Sequence, residues 1–218
     1  MLQFLFNWLS RADPPARAEA IFALAGRKSR KVFAIDLLEQ GMAPRLLFSV
    51  GRFEIRRFPE LGLPQTIDLL QMAQSIPPPQ RHFFVLFEKQ QFTVQRIPVR
   101  MLGTLSEIDA LVDWLGAHPQ LSSLLVVSSG PHLRRLRLCR RVLLPRNLEI
   151  KFLAAPEENA PPSPQNLRND VSTRKMILTE LVKIICYAVF LPFWKWTRPW
   201  RSKTSSTTDR ADSPDSLP

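Results

Sequence analysis

The chain is poor in the residues that build metal centres and covalent frameworks. Of its 218 residues only two are cysteine and three histidine. Neither Cys139 nor Cys186 has a His or Cys neighbour at metal-ligand spacing, so neither a zinc site nor a disulfide scaffold is expected, and each thiol is expected to be a small core residue of an apolar helix. His82 and His118 read as surface residues, and no paired carboxylates fall on the loops considered below, so no metal or acid–base site can be assembled. Walker and G-x-S-x-G motifs are absent, and the stretch 26–30 lacks the spacing of a dinucleotide fingerprint. Long hydrophobic runs are missing from the start of the chain. MLQFLFNWLS lacks a basic flank and is too short for a secretory signal or for a membrane span of ~20 residues; it suits a short helix packed on the domain or resting at a membrane surface. There is no internal repeat.

Positive charge is abundant. The formal net charge is +11, drawn largely from clusters at 27–31, 134–141 and 195–203. Such a surface attracts phosphates, nucleic acid or anionic lipid and says nothing about fold. With 45% hydrophobic residues, a chain of this length buries one good core.

The most informative stretch is SSLLVVSSGPHLRRLRLCRR, residues 122–141. A short apolar run, broken by Ser, Gly and Pro and followed by an arginine-rich helical pattern, reads as strand, tight loop and helix start. Such a loop turns free backbone N–H groups toward the space in front of the helix, where the dipole favours negative charge. Ser128, Ser129, His132, Arg134 and Arg135 add side-chain donors, and together they predict an anion-binding crevice. Arg134, Arg137 and Arg141 share one helical face, most simply a solvated one. Arg135 lies off that stripe toward the buried side and is the better candidate for ligand contact.

The remaining pattern alternates. A strand at 20–25, a helix at 30–40 and a strand at 45–50 form a unit of βαβ size. Two helical patterns fall within 52–76. Runs at 82–88 and 92–99 form a hairpin or strand pair, and Thr104 with Glu107 fits a capping box ahead of a helix. A strand at 124–127, a helix at 133–144 and a strand at 148–154 follow. The order predicts an α/β fold: a three-layer Rossmann-like domain with a mostly parallel sheet and a C-terminal apolar helix. Its bounds are a segment 1–19, the domain 20–192 (loop 155–170, helix 171–192), and a Trp-rich basic segment with a disordered tail, 193–218.

In such a domain the ligand site lies beyond the carboxyl ends of the strands. The candidate ligand-binding residues fall on those loops: Gly26 and Arg30, Ser49 and Gly51, Thr104 and Glu107, and Ser128, Ser129, His132 and Arg135. Each also has a plainer reading. The glycines serve tight turns, Thr104 and Glu107 cap a helix, and His132 bonds a backbone carbonyl. No metal is expected, and catalytic residues are not identified.

The helical wheel of 172–191 is mostly apolar, with a narrow stripe through Thr173, Met176, Glu180, Lys183 and Tyr187. Glu180 and Lys183 are spaced to pair. The apolar stretch 184–191 is too short to cross a bilayer, and Pro192 is expected to end the helix, which is read as buried against the sheet. Trp194, Trp196 and Trp200, interleaved with Lys195, Arg198 and Arg201, suit an anionic lipid headgroup region or a partner surface.

The layout resembles the SanA/YdcF/ElyC-like family of bacterial domains of unknown function. The resemblance rests on RKVFAIDLLEQGMAPRLLFSVG (30–51), on GTLSE (103–107), on VVSSGPHLRRL (126–136), and on Glu180, Lys183 and Tyr187 in the last helix. The chain departs from the family at Ala25-Gly26-Arg27, at Val50 and at Gly103, and an acidic residue usual upstream of the last has no counterpart at 95–100. The resemblance implies a Rossmann-like fold, a loose link to cell-envelope biogenesis, and S-adenosylmethionine or a nucleotide as cofactor.

The leading expectation is thus a protein that binds an anionic, phosphate- or nucleotide-like small molecule at the strand ends. It would be cytoplasmic, and peripheral at the inner membrane face. Two alternatives stay open: a membrane-associated scaffold with a degenerate site, or a nucleic-acid binder through 134–141. The second is disfavoured because that cluster lacks stacking aromatics.

Overall fold

A computed structural model describes residues 2–61, 68–88, 91–98, 103–156 and 171–197. The short apolar runs become strands: β1 (Ala20–Ala23), β2 (Arg45–Gly51), β3 (His82–Glu88), β4 (Gln91–Arg96), β5 (Ser123–Ser128) and β6 (Glu149–Ala154). They form one six-stranded sheet in the order β4-β3-β2-β1-β5-β6. The pairings β1–β2, β1–β5 and β5–β6 are parallel. The sheet is nevertheless mixed, because β3 runs antiparallel to both β2 and β4. The expectation of a mostly parallel sheet therefore holds for one part of it only. For β3 and β4 the reason is local: two residues separate them, too few for the crossover connection that a parallel pair needs.

Side chains alternate across the central strands, and two cores result. Phe22, Leu24, Leu47, Leu124 and Val126 share one core with the helices α4 (Gly103–Gly116), α5 (Leu133–Leu143) and α6 (Val171–Thr197). Ile21, Ala23, Phe48, Val50 and Val127 share the other with α2 (Lys28–Glu39) and α3 (Leu69–Gln74). A 3-10 segment, Ile55–Leu61, stands where the first helical pattern of 52–76 is expected. Pro59 lies inside it and removes a backbone donor, which suits short 3-10 turns better than an α-helix.

The N-terminal helix α1 (Leu2–Ser10) packs through Leu9 against Ile177 of α6. It also closes on the loop after β5, where a Cβ built on Gly130 would stand 2.9 Å from the Ser10 Cβ. Only glycine admits that approach.

Helix α6 overrides its own proline. It runs through Pro192 to Thr197, past both the expected stop and the expected boundary at 192–193. Proline removes one helical hydrogen bond and crowds the preceding turn. Leu191 and Trp194 on either side of it are buried in the core and hold the helix across that defect. Trp194, expected at a lipid surface, is 7% exposed, whereas Trp196 is 81% exposed. Trp200 and the tail lie outside the described residues, as does most of the loop 155–170. Of the two cysteines expected in the core, Cys139 is buried and Cys186 is exposed, because Cys186 lies on the outward side of α6.

Candidate functional site

Strand β1 lies at the centre of the sheet, with β2 on one side and β5 on the other. The chain leaves β1 toward β2 and later returns to the opposite flank, so the loops after β1 and β5 diverge and open a crevice at the carboxyl ends. The ten candidate residues gather around it. Gly26, Arg30, Thr104 and Glu107 line two adjoining clefts. One, of about 570 Å³, reaches Gly51; the other, of about 260 Å³, holds Ser128, His132 and Arg135. Ser129 joins through its hydroxyl, which accepts a hydrogen bond from Arg30 Nε at 3.0 Å. Ser49 is fully buried beneath the floor.

The first turn of α2 is electrostatically unusual. Arg30 and Lys31 are both buried there, at the end of the helix where the dipole disfavours cations. Each is compensated. The Arg30 guanidinium donates to the Ala25 carbonyl and to Ser129. Lys31 pairs with Glu54, which also accepts the Gly51 N–H at 2.9 Å. Burial lowers the pKa of both cations, and the neighbouring carboxylates oppose it. Gly26 makes room for this arrangement. Its φ is +134°, and a Cβ there would fall 2.7 Å from Arg30 Nη1.

Glu107 forms the floor. Its Oε1 accepts the Ala25 N–H at 2.7 Å, and the Ser49 hydroxyl also bonds to it. Burial raises its pKa, opposed by those two hydrogen bonds and by Arg30. Ser49 Oγ lies 2.7 Å from His82 Nε2. Burial pushes the His82 pKa down to about 4, so the ring is neutral at pH 7. With Ser49 donating to Glu107, His82 donates to Ser49 through Nε2–H. The chain His82–Ser49–Glu107 ends at the crevice. The capping-box reading of Thr104 and Glu107 is corrected: Thr104 lies inside the first turn of α4, and both side chains serve tertiary partners.

The narrow cleft is walled by α5 and α6. Arg135 Nη1 lies 3.2 Å from Glu180 Oε2, and its Nη2 donates to Thr104 Oγ1 at 3.3 Å. Lys183 donates to Glu180 Oε1 at 2.8 Å, so the expected pair forms. His132 Nδ1 is 3.1 Å from the same oxygen. Burial lowers the His132 pKa against the opposing pull of Glu180, and Nδ1 bonds to Glu180 rather than to a backbone carbonyl. Burial alone would raise the pKa of Glu180; the His132 hydrogen bond, the Arg135 charge and Lys183 outweigh it and hold it at about 2. Three polar atoms of this cluster have no hydrogen-bond partner among the described residues: Arg135 Nε, Glu180 Oε2, which keeps its ion pair with Arg135, and Ser128 Oγ. Ser128 lines this cleft, and its Oγ is fully buried.

His82 is the clearest correction to the surface reading: it is 7% exposed. The run HFFVLFE marks a strand, but only the antiparallel register that sets His82 opposite Gly51 brings the ring to Ser49. Glu54 and Lys31 carried no local signal either. Among the described residues no cluster of His, Cys, Asp and Glu is placed to hold a metal ion. The arginine-rich stretch is largely engaged within the fold. Arg134 stacks on Trp8, Arg137 pairs with Asp13 at 2.6 Å, and Arg140 donates to the Leu148 carbonyl. Compared with protein-family models, curated proteins and solved structures, the chain matches none.

Proposed function

We propose that this protein is a three-layer, Rossmann-like α/β domain that binds an anionic, phosphate-bearing small molecule at the carboxyl ends of β1 and β5. The observation that carries the reading is Ser128 Oγ, buried and unpartnered in a cleft that also holds Arg30, His132, Arg135 and Lys183. A buried hydroxyl without a partner costs roughly 1–3 kcal/mol, and an anion oxygen satisfies it. Glu180 and Glu107 offset the cations within the fold without matching them one for one, so a further negative charge is accommodated. Of the two ligands that the resemblance to the SanA/YdcF/ElyC-like family implies, a nucleotide carries phosphate and agrees with this reading, whereas S-adenosylmethionine is a net cation without phosphate and does not.

The test is direct. Ser128→Ala removes no internal hydrogen bond, so it is expected to fold with equal or slightly greater stability. It is also expected to weaken binding of inorganic phosphate and nucleoside monophosphates in isothermal titration. Equal affinity in the variant and the parent would reject the site.

A second reading concerns location. Among the described residues α6 is the one helix long and apolar enough to cross a membrane. Its inward side, however, is fixed to α5 by the Arg135–Glu180 pair. Leu178, Val182, Ile185, Val189, Phe193 and Trp196 are exposed and recur every three or four residues along its outward side. Arg174, Lys175 and Lys195 are exposed on the same helix, while its one carboxylate, Glu180, is buried. This favours a helix lying in the plane of an anionic lipid surface at the inner membrane face. Two copies of the chain packed through this side would set like charges together.

A further inference from the structure

The two clefts differ in character although they share Gly26, Arg30, Thr104 and Glu107. The narrow one is ringed by polar and charged groups. The wide one is more than twice as large and carries Phe53, Phe58 and Leu61 on its walls. Phe53 is 79% exposed, a costly position for an aromatic ring that packs on no core. Arg52 does not line the cleft, yet it sets its guanidinium 4.4 Å from the Phe53 ring centroid. A cation over one face of an aromatic ring is favourable. Phe58 stacks edge-on against Phe48 in the core, so this wall is anchored. Phosphate alone fills only the narrow cleft, and nothing in its chemistry uses the apolar wall.

We infer that the ligand is a phosphomonoester in two parts: a phosphate in the narrow cleft against Ser128, Arg30 and Arg135, and an apolar, ring-bearing organic group in the wide cleft against Phe53, Phe58 and Leu61. The inference rests on the anion reading above and adds the class of alcohol esterified. Arg30 and Glu107 stand at the junction, beside the ester oxygen. Arg27 also lines the wide cleft, and its charge favours an anion passing it on the way to the narrow cleft.

Four probes in isothermal titration separate the parts: inorganic phosphate, glycerol phosphate, naphthyl phosphate and naphthol. Naphthyl phosphate is expected to bind roughly tenfold or more tightly than inorganic phosphate or glycerol phosphate, from burial of the ring. Phe53→Ser, at an exposed position that does not endanger folding, is expected to bring naphthyl phosphate down toward the affinity of inorganic phosphate. Ser128→Ala is expected to weaken all three phosphates. Equal affinities for the three phosphates would overturn the two-part ligand and leave the anion site standing. Naphthol binding as tightly as its phosphate, or no binding of any phosphate, would overturn both.

Discussion

Arg135 on α5 and Glu180 on α6 meet 3.2 Å apart with both side chains buried. The contact fastens the C-terminal helix to the domain and forms a wall of the narrow cleft. Removing one partner of a buried pair leaves the other charge uncompensated, at a cost of about 3–5 kcal/mol. Glu180→Gln is expected to lower stability to chemical denaturation by that order. The double substitution Arg135→Met with Glu180→Met is expected to recover most of the loss while still abolishing phosphate binding. A Glu180→Gln protein as stable as the parent would show that the pair does not hold α6.

Acid should destabilise the fold in two stages. His82 has a folded pKa of about 4 against an ordinary 6.5. Between those values the unfolded chain takes up a proton that the folded one refuses, so stability falls as pH drops from about 6.5 to 4. The size is of order 3 kcal/mol. Glu180, held at about 2 against 4.5, stabilises the fold above its unfolded pKa, and that contribution is lost as pH falls from about 4.5 to 2. His82→Asn is expected to reduce the first stage, leaving the part that His132, also lowered by burial, contributes in the same direction, and to leave the second unchanged. Denaturation midpoints measured from pH 7 to 3 read both, and an unchanged first stage in the variant would remove His82 as its source.

Gly26→Ala combines two penalties. A φ of +134° is strained for any side chain, at roughly 1–3 kcal/mol, and the added Cβ meets the Arg30 guanidinium. The variant is expected to unfold at lower denaturant and to lose phosphate affinity together. Retained affinity would mean that Arg30 does not need its present position.

The outward side of α6 predicts lipid binding with a charge preference. Cosedimentation should be stronger with vesicles containing phosphatidylglycerol than with pure phosphatidylcholine, and weaker in salt. Ile185→Glu with Val189→Glu, both at exposed positions, is expected to abolish it without lowering the melting temperature. A parent protein that ignores both vesicle types but sediments as a dimer would assign the stripe to a second copy.

Strands β1, β2 and β5 were legible because their cores are short apolar runs, and a buried strand needs little else. The segments after β1 and β5 that bear Gly26 and His132 were legible for the same reason, since the end of each run marks where the strand stops. Ser49 and Ser128, expected on loops, lie instead within the ends of β2 and β5, because pairing with β3 and β6 extends those strands. Arg135 was legible from its position on the helical wheel, off the stripe of Arg134, Arg137 and Arg141.

Local pattern does not encode which elements meet, and there tertiary structure decided. His82 lies 33 positions from Ser49, and Glu180 lies 45 from Arg135. The first pair depends on antiparallel register and the second on α5 packing against α6. Neither leaves a mark within a window of one strand or one helix. Pro192 shows the converse: its local cost is plain in the sequence, but burial of Leu191 and Trp194 outweighs it, because packing energy is summed over contacts that only the folded chain makes.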